Sequence, residues 1–247
     1  MRTFRDKAIV LRTYRLGEAD RIVVALGQNT GQFRAVAKGV RRSRSKFGSR
    51  LESFNLVDCQ VYRGKSLHTV TQAETISPYS SWIAPNYEAF TNAKLVVEAA
   101  QKITDGDELP NPEQFGLLHG AVNAFALADR PPTLVASSYL FRALALEGWE
   151  PLLDVCATCG AGNNHVGFSP AAGGVVCADC APADAARLPP GTLALLEALL
   201  RGNWGAASQS TGEQWEHVAR LAGAWAQFHL EQRLKALPFA ATQPGRN

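Results

Sequence analysis

Four cysteines in the second half of the chain are spaced like metal ligands. They form two CxxC pairs, Cys156 with Cys159 and Cys177 with Cys180, and seventeen residues separate the pairs. One tight turn presents both sulfurs of a CxxC pair, and a gap of this length is typical of zinc sites with tetrahedral thiolate coordination. Four thiolates fill the coordination sphere, whereas catalytic zinc keeps a position open for water. The spacing therefore predicts one structural zinc ion, Zn2+, bound by all four cysteines.

The sequence leaves other uses of these thiols open. The four cysteines could form two disulfides or stay free, although a reducing cytoplasm disfavours disulfides. His165 lies between the pairs and could replace one cysteine ligand. A zinc-dependent nucleic-acid enzyme would need an open metal position with a Glu or His beside it. The fifth cysteine, Cys59, falls in an apolar run and is expected to be a plain core residue.

A second group of residues, all cationic, is predicted to contact nucleic-acid phosphates. Residues 34–50 contain no acid and seven basic residues: Arg34, Lys38, Arg41, Arg42, Arg44, Lys46 and Arg50. Cations on a mobile segment rich in glycine and serine follow a phosphate backbone without reading bases, so non-specific binding is expected. Further contacts are predicted at Arg21, Arg63 and Lys65. Phe33 and Phe47 could stack on bases, although burial in the core is favoured for Phe33.

A solvated loop of high charge with no partner is the alternative for this segment. No nearby acid in the sequence offsets its charges, so their mutual repulsion favours an anionic partner. Contact with about five phosphates would give a log–log salt slope of about −4.5, a several-hundredfold loss of affinity between roughly 50 and 200 mM salt. Basic loops also bind anionic membranes, but no amphipathic basic helix or lipidation motif accompanies this one.

Charge is distributed unevenly along the 247 residues. Residues 1–80 carry 15 Lys/Arg and 6 Asp/Glu, and the remaining residues carry 10 and 16. A composition of 46% hydrophobic and 19% charged residues excludes a disordered or fibrous chain. No apolar run is long enough for a membrane span, and the basic start lacks a signal-peptide core, so a cytoplasmic location is expected. Nucleotide-binding and hydrolase motifs are absent from the sequence, which favours a protein that is not an enzyme.

Hydrophobic patterning divides the chain into a β-rich and a helical part. Up to about residue 77, five short apolar runs alternate with turns and one longer basic loop, as in an OB-fold barrel that binds nucleic acid. Helical periodicity follows near residues 86–103, 115–128, 133–147, 192–201 and 213–236. The predicted fold class is α+β and multidomain. Its predicted parts are a five-stranded OB-fold β-barrel over 1–79, an α-helical domain over 80–237, an inserted four-cysteine zinc finger over 154–182 and a flexible tail over 238–247.

Several motifs resemble the RecO family of bacterial DNA repair proteins. They are residues 14–21 (YRLGEADR), 31–43 (GQFRAVAKGVRRS), 51–54 (LESF) and 61–64 (VYRG), followed by the two CxxC pairs. The segment with Gly31, Lys38 and Gly39 is specific to that family. The order of the elements extends the resemblance over nearly the whole chain.

The resemblance implies an N-terminal OB-fold, a helical domain and a zinc finger lodged in that domain. It also implies a recombination mediator that binds single- and double-stranded DNA, anneals complementary strands and, with RecR, helps RecA replace single-strand-binding protein (SSB). RecA would be engaged indirectly, and the acidic tail of SSB would bind the helical domain. The implied location is the cytoplasm at the nucleoid. Carried onto this sequence, the DNA contacts include Arg34, Lys38, Arg41, Arg42 and Arg44.

An RNA-binding OB-fold module with a zinc ribbon is the alternative function. It would share every sequence feature above except the family motifs. Because RNA carries a 2′-hydroxyl that DNA lacks, competition between DNA and RNA of one sequence separates the two hypotheses.

Overall fold

The computed structural model describes residues 2–42, 44–106 and 109–240. Contacts divide the chain into two units, the first ending at Asp129 and the second beginning at Arg130. The elements of the first unit are β1 (Thr3–Leu16), β2 (Asp20–Gly27), β3 (Gly31–Ala37), β4 (Leu56–Tyr62), β5 (His68–Ser77), α1 (Tyr79–Ile83), α2 (Tyr87–Ile103) and α3 (Pro112–Leu127). Those of the second are α4 (Pro132–Leu146), β6 (His165–Ser169), β7 (Gly174–Cys177), β8 (Ala186–Arg187), α5 (Thr192–Leu200), α6 (Trp204–Ala207), α7 (Gly212–Leu230) and α8 (Leu237–Ala240).

The strands of the first unit close into a barrel in the order β1-β2-β3-β5-β4. Neighbouring strands are antiparallel except β3 and β5, which run parallel. The long β1 pairs with β4 through its first half and with β2 through its second, and its register shifts between Val10 and Arg12. Such a bulge bends a strand and helps a sheet to close on itself. The predicted five-stranded OB-fold barrel is confirmed.

Small and β-branched side chains fill the barrel, as the period-two alternation of the strand sequences requires. Val10, Val23, Ala35 and Val61 are each at most 2% exposed and belong to one core cluster. Cys59 lies in the same cluster at 2% exposure, as predicted, and burial raises the pKa of its thiol to about 12. This cysteine is therefore a packing residue.

A buried carboxylate holds the turn between β2 and β3. Asp6, 3% exposed, accepts hydrogen bonds from the backbone N–H of Asn29 at 2.9 Å and from the Thr30 hydroxyl at 2.7 Å. The side-chain amide of Asn29 donates to the same carboxylate at 2.9 Å. A Cβ at Gly27 would lie 2.5 Å from Asp6 Oδ2, so glycine is required for this close approach. The network ties β1 to the β2–β3 turn.

Replacing Asp6 with Ala is expected to lower the free energy of unfolding by about 2–4 kcal/mol, because the donors of Asn29 and Thr30 lose their buried, charged acceptor. Urea denaturation followed by far-UV circular dichroism measures the change. Asp58→Ala is the matched control, since Asp58 pairs at 2.8 Å with an Arg5 side chain that is 69% exposed. An exposed pair of this kind contributes about 1 kcal/mol or less. Equal losses in the two variants would contradict a structural role for the Asp6 network.

Helices α1 to α3 belong to the same unit as the barrel. The Thr104 hydroxyl, just after α2, donates to the Gln32 side chain of β3 at 3.1 Å. Phe90 of α2 meets Phe54 edge to face, with ring centroids 5.8 Å apart. The contacts therefore group three helices with the barrel, and the domain boundary after residue 79 stays a prediction.

In the second unit, α4 packs against α7, and the cysteine segment lies between α4 and α5 in the chain. Its strands form a sheet in the order β7-β6-β8. The predicted extension of the last long helix to residue 236 is wrong, because Glu231 adopts a left-handed φ of 49° and ends α7 at Leu230. The first residues of the predicted flexible tail lie in α8, and residues 241–247 lie outside the described chain. Among the described helices, none combines the length and apolarity needed to cross a membrane.

Candidate nucleic-acid interface and metal centre

Hydrogen bonds fasten the β3–β4 segment (residues 38–55) to the β1–β2 turn (residues 17–19). The backbone N–H of Arg41 donates to the carbonyl of Ala19 at 2.9 Å. Its guanidinium Nη1 donates to the carbonyl of Glu18 at 2.8 Å. The first cations of the segment are thereby held at the end of the barrel where β2 begins.

Apolar side chains anchor the β3–β4 segment in the barrel. Phe47 and Leu51, 1% and 3% exposed, both belong to the barrel core. Phe47 therefore offers no ring face for stacking on a base, and Phe33 at 6% exposure is buried as expected. The described residues of this segment, which was predicted to be a mobile arm, form a series of turns packed over Phe47 and Leu51. Its cations extend from a backbone that the core positions.

Two of the predicted DNA contacts are paired with carboxylates inside the first unit. Arg21 Nη1 lies 2.7 Å from Glu52 Oε1, and Arg34 Nη2 lies 2.8 Å from Asp105 Oδ1. The Gln32 amide also donates to Asp105, at 3.1 Å, so Arg34 helps to hold the end of α2 against β3. The expectation that no acid offsets the charges of residues 34–50 is therefore wrong at Arg34, and Arg21, outside that segment, is paired as well. Folding brings in acids that are 31 and 71 residues away along the chain.

The other predicted DNA contacts keep their charge. They are exposed, and within the described chain none of them pairs with a carboxylate: Lys38, Arg41, Arg42, Arg44, Lys46, Arg50, Arg63 and Lys65. The Lys46 ammonium donates to the Thr71 carbonyl at 2.9 Å, and the Arg63 guanidinium lies 4.8 Å from the centroid of the Phe4 ring. Carbonyl and ring contacts neutralise no charge. These eight uncompensated cations are the strongest feature of the barrel surface for attracting an anion.

The structure adds Arg15 to this group. Arg15 is exposed and lies directly opposite Arg21 across the β1–β2 pair. Two like charges directly opposite each other in an antiparallel sheet repel, so this cross-strand pair does not stabilise the barrel. Sequence reasoning did not single out Arg15, because it lies outside the basic segment of residues 34–50.

The four predicted zinc ligands come together in the second unit. Their sulfurs all lie within 4.8 Å of one another, and those of Cys159 and Cys177 are 3.8 Å apart. A zinc–sulfur distance of about 2.3 Å in a tetrahedron puts neighbouring sulfurs about 3.8 Å apart. Each of these cysteines is a free thiol, and the ring of His165 contacts the Ala161 carbonyl at 3.2 Å instead. The cluster therefore has the composition and spacing of a site that can hold a metal ion.

Backbone N–H groups favour the thiolate form of one of the four cysteines, Cys156. The N–H groups of Cys159 and Cys177 point at the sulfur of Cys156 and lower its pKa to about 6. Gly160 adopts a φ of 75°, which lets the first CxxC turn close. Hydrogen bonds among the neighbouring thiols raise the pKa of Cys180 to about 12. A bound cation would favour the deprotonated form of all four.

Backbone pairing fastens this cysteine segment to the chain that follows α4. The N–H of Leu152 donates to the Gly173 carbonyl at 3.0 Å, and the N–H of Val175 donates to the Leu152 carbonyl at 2.9 Å. A Cβ at Gly174 would collide with the Leu152 backbone, so only glycine fits at this crossing. The metal centre is thus attached by its own β-bridge as well as by the covalent chain.

One His-x-Glu triplet, His229 to Glu231, has the spacing that zinc deaminases use. The His229 ring stacks on Trp149, with centroids 5.4 Å apart, and meets Trp225 at 4.2 Å. Burial lowers the pKa of its imidazole, and its Nε2 is buried without a hydrogen-bond partner. Among the described residues, the candidate metal ligands are cysteines only. The triplet therefore belongs to an aromatic cluster and not to the metal centre.

Together these features define a class of protein in which a cationic OB-fold barrel precedes a helical unit with four clustered cysteines that could hold a metal ion. The family profile described as "Recombination protein O N terminal" matches residues 1–79, and "Recombination protein O C terminal" matches residues 84–238. The chain belongs to the RecO family.

Curated relatives named DNA repair protein RecO agree with this assignment. The one from Frankia casuarinae is 44% identical over 239 residues, covering 97% of this chain and 98% of the relative. The one from Cutibacterium acnes is 42% identical over 242 residues, covering 96% and 98%. The one from Nocardioides sp. is 41% identical over 239 residues, covering 96% and 98%.

Proposed function

We propose that this protein is a DNA repair and recombination mediator that binds single- and double-stranded DNA without sequence preference. It anneals complementary strands and, with RecR, helps RecA to load on DNA coated with SSB. The observation that carries the proposal is the set of eight uncompensated cations on an OB-fold barrel. The names of the relatives, which are DNA repair proteins, support the same role.

The barrel acts by binding and not by covalent chemistry. Phosphates of two strands repel each other, and cations placed between the strands offset that repulsion, which lets complementary bases meet. Because the cations contact backbone and not base edges, the same surface accepts any sequence. Annealing therefore follows from the charge of the barrel without an active site.

The metal centre has a structural role in the helical unit. A zinc ion held by Cys156, Cys159, Cys177 and Cys180 would supply ordering energy to a segment rich in glycine, and it would contribute no step to strand pairing. Four sulfurs within 4.8 Å of one another leave no protein-defined position for water. This geometry supports a structural ion over a catalytic one.

The helical part recruits proteins. Residues 81–247 carry 10 Lys/Arg and 16 Asp/Glu, so this part of the chain repels DNA and stays free for partners. We place RecR and the SSB tail among these partners, with RecA engaged indirectly as SSB is displaced. The protein acts in the cytoplasm at the nucleoid.

An annealing assay on SSB-coated complementary strands tests the proposal. The protein is expected to raise the annealing rate at least about tenfold over SSB-coated strands alone, and the gain should fall steeply as salt is raised. Equal rates with and without the protein would contradict the proposed function. Preference for RNA over DNA of the same sequence, measured by competition, would instead favour an RNA-binding module.

A further inference from the structure

One ion pair on the barrel lies where the like charges of β1 and β2 meet. Arg15 and Arg21 are directly opposite each other in the β1–β2 register, so their Cβ atoms are about 5 Å apart. Of the two, Arg21 contacts the carboxylate of Glu52 at 2.7 Å, and Arg15 is exposed and pairs with no described carboxylate. Only one of the two neighbouring guanidinium groups is paired with an acid, which leaves a net positive charge at this point.

Glu52 is held in place by its neighbours in the β3–β4 segment. Leu51 and Phe54 are 3% and 2% exposed, and Phe54 adopts a left-handed φ of 81° that fixes the turn. The backbone N–H of Glu52 donates to the Ser49 carbonyl at 3.2 Å. The carboxylate is therefore presented to Arg21 by a defined turn.

The ion pair is open to solvent and easily exchanged. The Arg21 side chain is 28% exposed and that of Glu52 is 44% exposed. Exposed pairs of this kind contribute little to stability, so another anion can replace the carboxylate at small cost. A phosphodiester is well suited, since one phosphate can accept hydrogen bonds from two guanidinium groups.

The Arg21–Glu52 pair lies next to the uncompensated cations on the barrel surface. Arg21 lies opposite Ala37 of β3, and Lys38 follows Ala37 directly. A nucleic-acid backbone that contacts Lys38 would therefore pass close to the two arginines.

We infer that Arg15 and Arg21 form a phosphodiester site at the end of the β1–β2 pair, and that Glu52 occupies this site in the free protein. Binding of a nucleic-acid backbone displaces the Glu52 carboxylate from Arg21. Glu52 thus acts as an internal competitor that weakens binding. This inference rests on the proposed DNA-binding function of the barrel.

Glu52→Gln tests the inference, with fluorescence anisotropy of a labelled single-stranded oligonucleotide as the measurement. Removal of the competing charge is expected to tighten binding about two- to fivefold at low salt. The log–log salt slope should stay close to that of the natural protein, because the same phosphate contacts Arg21 in both complexes. Unchanged or weaker binding, with unchanged thermal unfolding, would overturn the inference.

A double-mutant cycle adds a second readout. Arg21→Gln is expected to weaken binding at least about twofold more in the Glu52→Gln background than in the natural sequence. In the natural sequence Glu52 already occupies Arg21, so the loss of Arg21 removes less affinity. Additive effects would overturn the competition. Arg15→Gln should weaken binding several-fold. Arg12→Gln is its matched control, since it removes one arginine from the same strand outside the proposed site. Arg12 lies on the same strand with its guanidinium 4.9 Å from the Tyr14 ring centroid.

The outcomes separate this inference from the proposed function. If reversing the charge of Lys38, Arg42 and Arg44 abolishes binding while Glu52→Gln changes nothing, the inference fails and the proposed function stands. If that charge reversal leaves binding intact, the proposed function itself fails.

Discussion

Replacing Lys38, Arg42 and Arg44 together with Glu is expected to weaken DNA binding at least about a hundredfold at roughly 50 mM salt. Each lost phosphate contact removes about 0.9 from the salt slope, so the slope should fall from about −4.5 to about −1.8. Anisotropy titrations at several salt concentrations measure both quantities. These three side chains suit the test because they are exposed and form no ion pair within the described chain. Arg41 is left intact because it fastens the β1–β2 turn.

The matched control reverses the same number of charges in the second unit. Arg187, Arg201 and Arg220 are exposed there, and replacing them with Glu gives the same change in net charge. Affinity is expected to stay within about threefold of the natural protein, since these three arginines belong to the net-acidic part of the chain and are not among the predicted phosphate contacts. Equal losses in both variants would show that net charge, and not the barrel surface, governs binding.

Removing the metal is expected to unfold the cysteine segment while the barrel keeps its affinity for DNA. Structural zinc supplies on the order of 10 kcal/mol to such a segment, so Cys156→Ser or chelation should expose residues 154–182 to hydrogen exchange. Mass spectrometry measures that exchange peptide by peptide. Elemental analysis is expected to find one zinc ion per natural chain and much less in Cys156→Ser.

Cys59 provides the control for this experiment. It is buried in the barrel core and is not one of the four clustered cysteines, so Cys59→Ser should leave zinc content unchanged. A segment that keeps its protection after the metal is removed would contradict the structural role. Loss of DNA binding on chelation would contradict the assignment of binding to the barrel.

The strands and the cysteine cluster could be predicted from the sequence because both depend on local patterns. Alternation of polar and apolar residues marks strands such as β3, and CxxC spacing places two sulfurs on one turn whatever the rest of the fold does. The ends of elements depend on single backbone conformations. Glu231 ends α7 in a left-handed conformation, and a glutamate in the sequence gives no sign of such a φ.

Interactions between distant residues explain what the sequence did not show. The partners of Arg21 and Arg34 are set by closure of the barrel and by packing of α2, so no local pattern reveals them. Phe47 has only charged and small neighbours in sequence, and its burial follows from the way the turns around it fold over the barrel. Sequence therefore indicates where cations are concentrated, and the fold decides which of them are already neutralised.

The closed order of the barrel strands also affects how many copies can share one nucleic acid. A sheet with a free edge invites strand addition from another molecule, and crowding along a polymer would promote such aggregation. The barrel of this protein has each strand flanked on both sides, and β3 and β5 pair over two residues where the barrel closes. Under the proposed function, copies gathered on one nucleic acid would find no free edge of the barrel at which to add a strand.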